Sequence, residues 1–342
     1  MANYTPSNLV KAQARLIGKF SSSEKRFADA PVWMEFLRQS EIMIPGYSEL
    51  RTREDRTVET YYKTRTSRAL GTGRSHNHTG PKGDTAVFTP AWTTYNDEFS
   101  ISLKQADNNV YDFQEMFNNE IENAVINFYE GLETLATAYV FNNRSGVNTS
   151  TSGEGTFNAV QDTYEITEST NGDRAVQIAK SVMKENKYKG SKVFICDTIA
   201  FNKFEKDSAQ GSGNNENLSF QYSGVRFVHA LELGALAAGL AAPYTSGFWI
   251  AMDEGVLSAL PWIPKQNRMG INTKLQTYAT LMNPLDGLTY ALHSYEVAED
   301  ATATNGFTQD ETTQYEISLD IALSDAPLTT ANETTLQAFA LV

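Results

Sequence analysis

A single cysteine, Cys196, in 342 residues rules out an internal disulfide framework and any multi-cysteine metal site. It lies in KVFICDT, an apolar run, and reads as a buried core thiol. Long hydrophobic runs are missing as well. None approaches the ~20 apolar residues of a membrane-crossing helix, and the richest stretch, LGALAAGLAA at 233–242, stops at Pro243. The first residues carry cations but no compact apolar segment with a cleavage site, so no signal peptide is read there. There are only four histidines and no G-x-S-x-G elbow, phosphate loop or dinucleotide glycine pattern, which leaves out the common signatures of nucleophilic and nucleotide-dependent catalysis. No stretch repeats in tandem.

Cations are absent from one long segment. Between Lys104 and Arg144 there is no Lys or Arg, while Asp112, Glu115, Glu120, Glu122, Glu130 and Glu133 all fall there. The net charge of −13 is unevenly spread: residues 1–91 hold 14 Lys and Arg against 9 Asp and Glu, and residues 92–342 hold 14 against 32. A positive first quarter and a negative remainder suit either a nucleic-acid arm or a molecule one part of which meets the opposite part of another copy. No basic stripe with interleaved aromatics accompanies a recognition helix, so sequence-specific DNA binding is not expected.

What is present is a change of period along the chain. Residues 1–45 read as an arm of short amphipathic helices, with Val10, Ala14 and Ile17 at helical spacing and PVWMEFLRQSEIMI beginning at Pro31. TVETYYKTRTSRA at 57–69 and AVFTPAWTTYNDEFSISLKQ at 86–105 interleave polar and apolar residues as strands do, Pro90 marking an edge or a bend. Gly71, Gly73, Gly80, Pro81 and Gly83 between them predict the tip of a long β-hairpin. The period then turns helical. Phe113, Phe117, Ile121, Val125, Phe128, Leu132, Leu135 and Tyr139 recur at steps of three and four, predicting an amphipathic helix of about 30 residues, roughly 45 Å long, capped by Asn108 or Asn109. Gly131 weakens it by about 1 kcal/mol relative to alanine. After a polar connection at 144–172 the elements alternate: DRAVQIAKSVMKEN as a helix, SKVFICDT as a buried strand, TIAFNKFEKDSA as a helix capped by Thr198, and GVRFVHAL as a strand. SGFWIAMDEGVLSAL reads as strand then helix, and KLQTYATLM, GLTYALHSYEV and QYEISLDIALS read as strands, so the class is α+β.

Candidate chemistry is sparse. His76 and His78, with Asp84, could offer zinc or copper two imidazoles and a carboxylate, but a glycine-rich hairpin tip supplies little rigid frame, and a solvated or partner-contacting tip is the simpler reading. His229 and His293 fall inside predicted strands and read as satisfied structural histidines; Asp253 and Glu254 read as helix-start carboxylates. No catalytic, cofactor-binding or metal-ligating residue is assigned. The hairpin, by contrast, concentrates Arg51, Arg53, Arg56, Lys63, Arg65, Arg68, Arg74 and Lys82 against Glu54, Asp55 and Glu59. Two solvated faces are the plain alternative to a pairing of this hairpin with the acidic helix.

The order of arm, basic hairpin, acidic helix and α/β domain resembles the major capsid proteins of tailed double-stranded DNA bacteriophages. The likeness rests on RTVETYYKTRTSRAL with AVFTPAWTTYNDEFSISLKQ, on ADNNVYDFQEMFNNEIENAVINFYEGLETLATAYVFN, on DRAVQIAKSVMKENKYKGSKVFICDT, and on GVRFVHALELG and SGFWIAMDEGVLSALPW. It implies an α+β chain of the Hong Kong 97-type capsid fold. The expected parts are an N-terminal arm (1–48), an extended β-hairpin loop (49–105), a peripheral domain with a spine helix (106–171 and 267–318) and an α/β axial domain (172–266 and 319–342).

It also implies a non-enzymatic virion protein without a cofactor, assembled in the cytoplasm of a bacterial host. Such a protein builds hexamers and pentamers of an icosahedral head around double-stranded DNA held without sequence specificity. A portal and a separate scaffolding protein are implied partners; a membrane is not. In that family the extended loop lies over a neighbouring subunit near its spine helix, so the basic hairpin and the acidic helix are expected to meet between copies. Tyr61, Tyr62, Phe88, Trp92 and Tyr95 are candidate apolar anchors. Lysine–asparagine cross-links occur in some members, but no pairing is visible for Lys63 or Lys82. An encapsulin-like nanocompartment shell, a surface fibre or adhesin-type binding protein, and an enzyme with a metal at His76 and His78 stand as alternatives.

Overall fold

The computed structural model describes residues 6–21, 29–44, 60–63, 72–73, 85–102, 113–144, 154–186, 188, 190–208, 219–222, 224–273, 276–297, 312–326 and 335–342. In chain order these form α1 (Pro6–Ser21), α2 (Pro31–Met43), β1 (Thr60–Lys63), β2 (Thr85–Phe88), β3 (Thr93–Ser102), α3 (Phe113–Asn142), β4 (Thr156–Asn158) and β5 (Thr163–Ile166). Then come α4 (Glu168–Asn171), α5 (Ala175–Glu185), β6 (Lys192–Cys196), α6 (Thr198–Ser208), β7 (Ser219–Tyr222), β8 (Val225–His229), α7 (Leu233–Ala238), β9 (Phe248–Asp253) and β10 (Leu257–Trp262). Last are α8 (Lys265–Met269), β11 (Gln276–Met282), β12 (Thr289–Val297), β13 (Thr312–Asp325) and β14 (Gln337–Leu341).

The three-and-four spacing of apolar residues explains α3, an unbroken helix of 30 residues. Phe117, Ile121, Val125, Phe128 and Leu132 are buried along one face, with Phe113, Leu135 and Tyr139 packed at its margin. Gly131 is exposed with open space around it, so it costs the helix only its propensity.

Two sheets flank this helix. In the five-stranded sheet the order is β10-β13-β12-β11, with β3 on the opposite side of β13. Pro90 lies between β2 and β3, outside either strand. The seven-stranded sheet runs β4-β5-β14-β9-β6-β8-β7, with β14 parallel to β5 and β6 parallel to β8. Its central strands are buried on both faces and divide their side chains between two cores. Val193, Ile195, Phe248, Ile250, Met252, Ala338 and Ala340 join the core shared with α3. Their alternates Phe194, Cys196, Trp249, Ala251, Phe339 and Leu341 pack under α5 and α6.

The arm helices blunt the edges of the five-stranded sheet. Gln39 of α2 accepts hydrogen bonds from the N–H groups of Gly255, Val256 and Leu257 at 3.0, 3.0 and 3.1 Å, and Ser40 Oγ accepts from Ala259 N–H at 2.9 Å. At the other edge Gln13 of α1 both donates to Met282 C=O (2.7 Å) and accepts from Met282 N–H (3.0 Å), as a paired strand would. Unpaired strand edges are templates for uncontrolled pairing, and here two amides and a hydroxyl occupy them.

Several expectations are corrected. The stripe Val10, Ala14 and Ile17 is exposed; α1 instead buries Ala12, Leu16 and Phe20, because it carries a second apolar stripe one residue out of phase. SGFWIAMDEGVLSAL is strand–turn–strand: LSAL begins β10, which α2 covers, and its burial outweighs its helix-like composition. The cap of α6 is Asp197, whose Oδ1 accepts from Ala200 N–H at 2.7 Å, while Thr198 turns its hydroxyl to His229 Nε2 at 3.0 Å. The polar connection holds β4 and β5, and β14 follows at the chain's end. β4 and β5 lie in the seven-stranded sheet, and β10 and residues 319–325 of β13 lie in the five-stranded sheet. Pairing partners distant in sequence set these memberships, and local composition does not encode them.

Gly255, in the β9–β10 turn, has φ 86°. An added Cβ would stand 2.6 Å from Ile42 Cγ2. Gly255→Ala is therefore expected to destabilise by ~1–3 kcal/mol through backbone strain and the displaced α2 contact. A lower urea midpoint at unchanged slope is the expected reading.

Candidate intersubunit surface

β1 and β2 pair antiparallel, Thr60 opposite Phe88 and Lys63 opposite Thr85, and among the described residues they join neither large sheet. The segment 64–84 thus connects two paired strands, as a hairpin requires. Of the basic candidates only Lys63 belongs to a described strand. Arg51, Arg53, Arg56, Arg65, Arg68, Arg74 and Lys82 lie outside the described residues, as do His76, His78, Asp84 and Asp112. Two proposed anchors are engaged within the chain. Trp92 packs beside Ile44, Leu260 and Ala322, and Tyr95 against the main core.

The acidic helix divides its carboxylates. Glu115 and Glu130 are exposed and Glu120 is half-buried. Glu122 is buried and meets Lys19 of α1, with Arg15 at 3.9 Å; Arg15 also donates to Asn119 Oδ1 at 2.8 Å. The helix that lacks cations of its own thus draws two from the arm. Glu133 is buried against the first turn of α2, where its Oε2 accepts the N–H groups of Val32 and Trp33, both at 2.9 Å. A carboxyl at a helix N-terminus satisfies donors that have no partner inside the helix. Sequence spacing grouped Glu122 and Glu133 with the surface acids, and the structure places them inside the chain.

Burial is the largest influence on Glu133, pushing its pKa from the ordinary 4.5 up to about 8. The two backbone N–H groups oppose that rise, and the charges of Glu232 and Asp29 add to it. Close by, Asp286 is also raised by burial; it accepts from Tyr290 Oη at 2.6 Å and from Trp33 Nε1 at 3.3 Å. Because the folded state holds the Glu133 proton more tightly, this group's contribution is complete below pH 4.5 and is lost as pH rises through about 8. Glu133→Gln keeps an acceptor for α2 and removes the titration. Its melting temperature is expected to fall less than that of the unaltered chain between pH 5 and 8, read from parallel melts.

A second junction holds α2 to both sheets. Glu35, buried, binds Arg38 and lies 3.4 Å from Arg226 of β8, while Arg38 also pairs with Glu254. Asp253 pairs with Lys192. Asp253 and Glu254 are therefore ion-pair partners at a strand end, in place of the expected helix-start role. His229 is hydrogen-bonded as a structural histidine. His293 Nε2 is buried without a hydrogen-bond partner among the described residues, its ring stacked on Tyr278 at 4.6 Å and near Tyr295 at 5.9 Å. Cys196 is fully buried, and burial raises its thiol pKa, which keeps it unreactive.

No family model matches the sequence, and no curated protein does. Solved structures do match. The structure titled "Cyanophage Pam1 capsid asymmetric unit" aligns over 92% of this chain and 93% of its own, with 13% identity and a TM-score of 0.54. The "Cyanophage A-1(L) capsid asymmetric unit" aligns over 92% and 93%, with 12% identity and a TM-score of 0.52. The chain has the Hong Kong 97-type capsid fold.

Proposed function

We propose that this chain is the major capsid protein of a tailed bacteriophage, a structural component of the virion that does its work by assembling rather than by catalysis. Copies join as hexamers and pentamers into an icosahedral head around double-stranded DNA, with a portal and a scaffolding protein as further partners. The observation that carries this reading is a fold shared along nearly the whole chain with two phage capsid proteins. The peripheral domain is assigned to α3 with the five-stranded sheet, and the axial domain to the seven-stranded sheet with α5 and α6. The hairpin of one copy lies on α3 of the next, its cations facing the exposed Glu115 and Glu130 and the half-buried Glu120. Glu122 and Glu133 take no part, since each is engaged within its own chain. Head-to-tail contacts of this kind close into rings.

Negative-stain microscopy of the expressed chain, alone and with a scaffolding protein, tests the reading. Closed isometric shells are expected. Fibres would support the adhesin alternative, and small uniform particles under both conditions would contradict assembly.

A further inference from the structure

Helix α5 presents Gln177, Lys180, Ser181 and Lys184 along the face turned away from its buried Val176, Ala179, Val182 and Met183. These four side chains, with Tyr188, Gly190 and Lys192, line a cleft of about 760 Å³, and none of the described residues lining it is acidic. Lys180 and Lys184 stand one turn apart, roughly 6 Å along the helix. Lys192 reaches the cleft from the start of β6, held by Asp253 and with its ammonium 5.4 Å from the centre of the Tyr188 ring. The underlying sequence is anomalous for this chain. Residues 180–192 contain five lysines and one acid, although residues 92–342 hold only 14 Lys and Arg against 32 Asp and Glu.

We propose that this cleft binds the phosphodiester backbone of nucleic acid without reading its sequence. Ammonium, hydroxyl and amide donors are among the side-chain groups that contact phosphate oxygens. The described lining has no arginine, so among these residues the bidentate forks that read guanine are missing, and lysine acts on phosphate as a point charge. The rival occupant is the acidic helix of a second copy. Its two fully exposed carboxylates, Glu115 and Glu130, stand 15 residues apart, about 22 Å, too far to enter one cleft together, and Glu120 between them is half-buried. Duplex DNA carries a charge every ~1.7 Å of its axis and can present several to the same lysines. The site rests on the capsid reading only in naming packaged DNA as the natural source of those phosphates.

The test uses the full-length unassembled chain and a fluorescein-labelled 20-base-pair duplex, with anisotropy followed against salt. Binding of two unrelated duplexes with equal affinity, weakening as salt rises, is expected. In Lys180→Glu/Lys184→Glu the affinity at low salt is expected to fall at least ~10-fold and the salt slope to drop by about two. The charge-matched Lys11→Glu/Lys206→Glu, altered at exposed positions outside the cleft, retains more of the binding than the cleft variant. The neutral pair Lys180→Gln/Lys184→Gln repeats the measurement should the reversed pair fold poorly. Equal binding by the unaltered chain and the cleft variants overturns the proposal, as does no binding by the unaltered chain. If that chain ignores DNA and the cleft variants fail to assemble, the cleft is a contact between copies instead. Particle formation, scored separately by microscopy, judges the capsid reading: DNA bound without shells sinks that reading and leaves the cleft, and shells without DNA binding do the reverse.

Discussion

Trp33→Ala is expected to cost about 3–5 kcal/mol and to free the arm from the body of the protein. Trp33 is fully buried and is among the largest side chains in the core. Its indole N–H donates to Asp286 and its backbone N–H to Glu133, so it ties α2 to the β11–β12 turn and to α3 at once. Truncation leaves a cavity and takes the indole donor from a buried carboxyl whose pKa burial already raises. A second consequence follows at the sheet edge. Gln39 and Ser40 cover β10 only while α2 is seated, so undocking exposes the N–H groups of residues 255–257 and 259. A domain's net stability is only ~5–15 kcal/mol, so a large fraction is lost. Calorimetry should show a melting temperature lower by roughly 10 °C. Limited proteolysis should cut residues 1–44 faster. Unchanged melting and cleavage would mean that α2 is not anchored through this side chain.

Arg65→Glu/Arg68→Glu is expected to abolish shells while leaving the subunit's own melting temperature unchanged within error. Each exposed ion pair is worth at most ~1 kcal/mol, but every copy in a shell repeats it, and reversal replaces attraction by repulsion. Exposed charges act across a Debye length of about 10 Å at 0.1 M salt, so the defect should be deepest in dilute buffer. Glu115→Lys/Glu130→Lys in the same chain should restore particles, since both carboxylates face solvent on α3. Glu122 would be a poor choice for rescue because Lys19 occupies it. Sedimentation of each variant gives the result. Normal assembly of the hairpin variant in low salt would refute the pairing.

Much of the fold could be read before any coordinates. The period of α3 was legible because one face of a long helix must stay apolar for many turns, and Phe117 to Leu132 mark it without interruption. Gly and Pro density placed the hairpin, the apolar run KVFIC placed β6, and short strand-like runs placed β8 and β11–β13. What failed did so for physical reasons. In α1 two apolar stripes coexist, and only packing on α3 decides that Leu16 and Phe20 go inside while Val10 and Ile17 stay out. VLSALPW has no strict alternation because β10 is buried on both sides, so period alone could not separate strand from helix. The two buried acids of α3 were beyond reach. Their partners, Lys19 and the N–H groups of Val32 and Trp33, lie about a hundred residues earlier in the chain.

The central claim is that one copy's hairpin lies on another copy's α3, and cross-linking tests it most directly. Cys196 is the only thiol and is fully buried, so engineered cysteines report without background. Arg68→Cys and Glu120→Cys are placed on separate copies of different tag length, mixed under assembly conditions and treated with a short bis-maleimide. The account predicts a covalent heterodimer carrying both tags. A mixture that yields none, while a single chain bearing both cysteines closes on itself when monomeric, would contradict it.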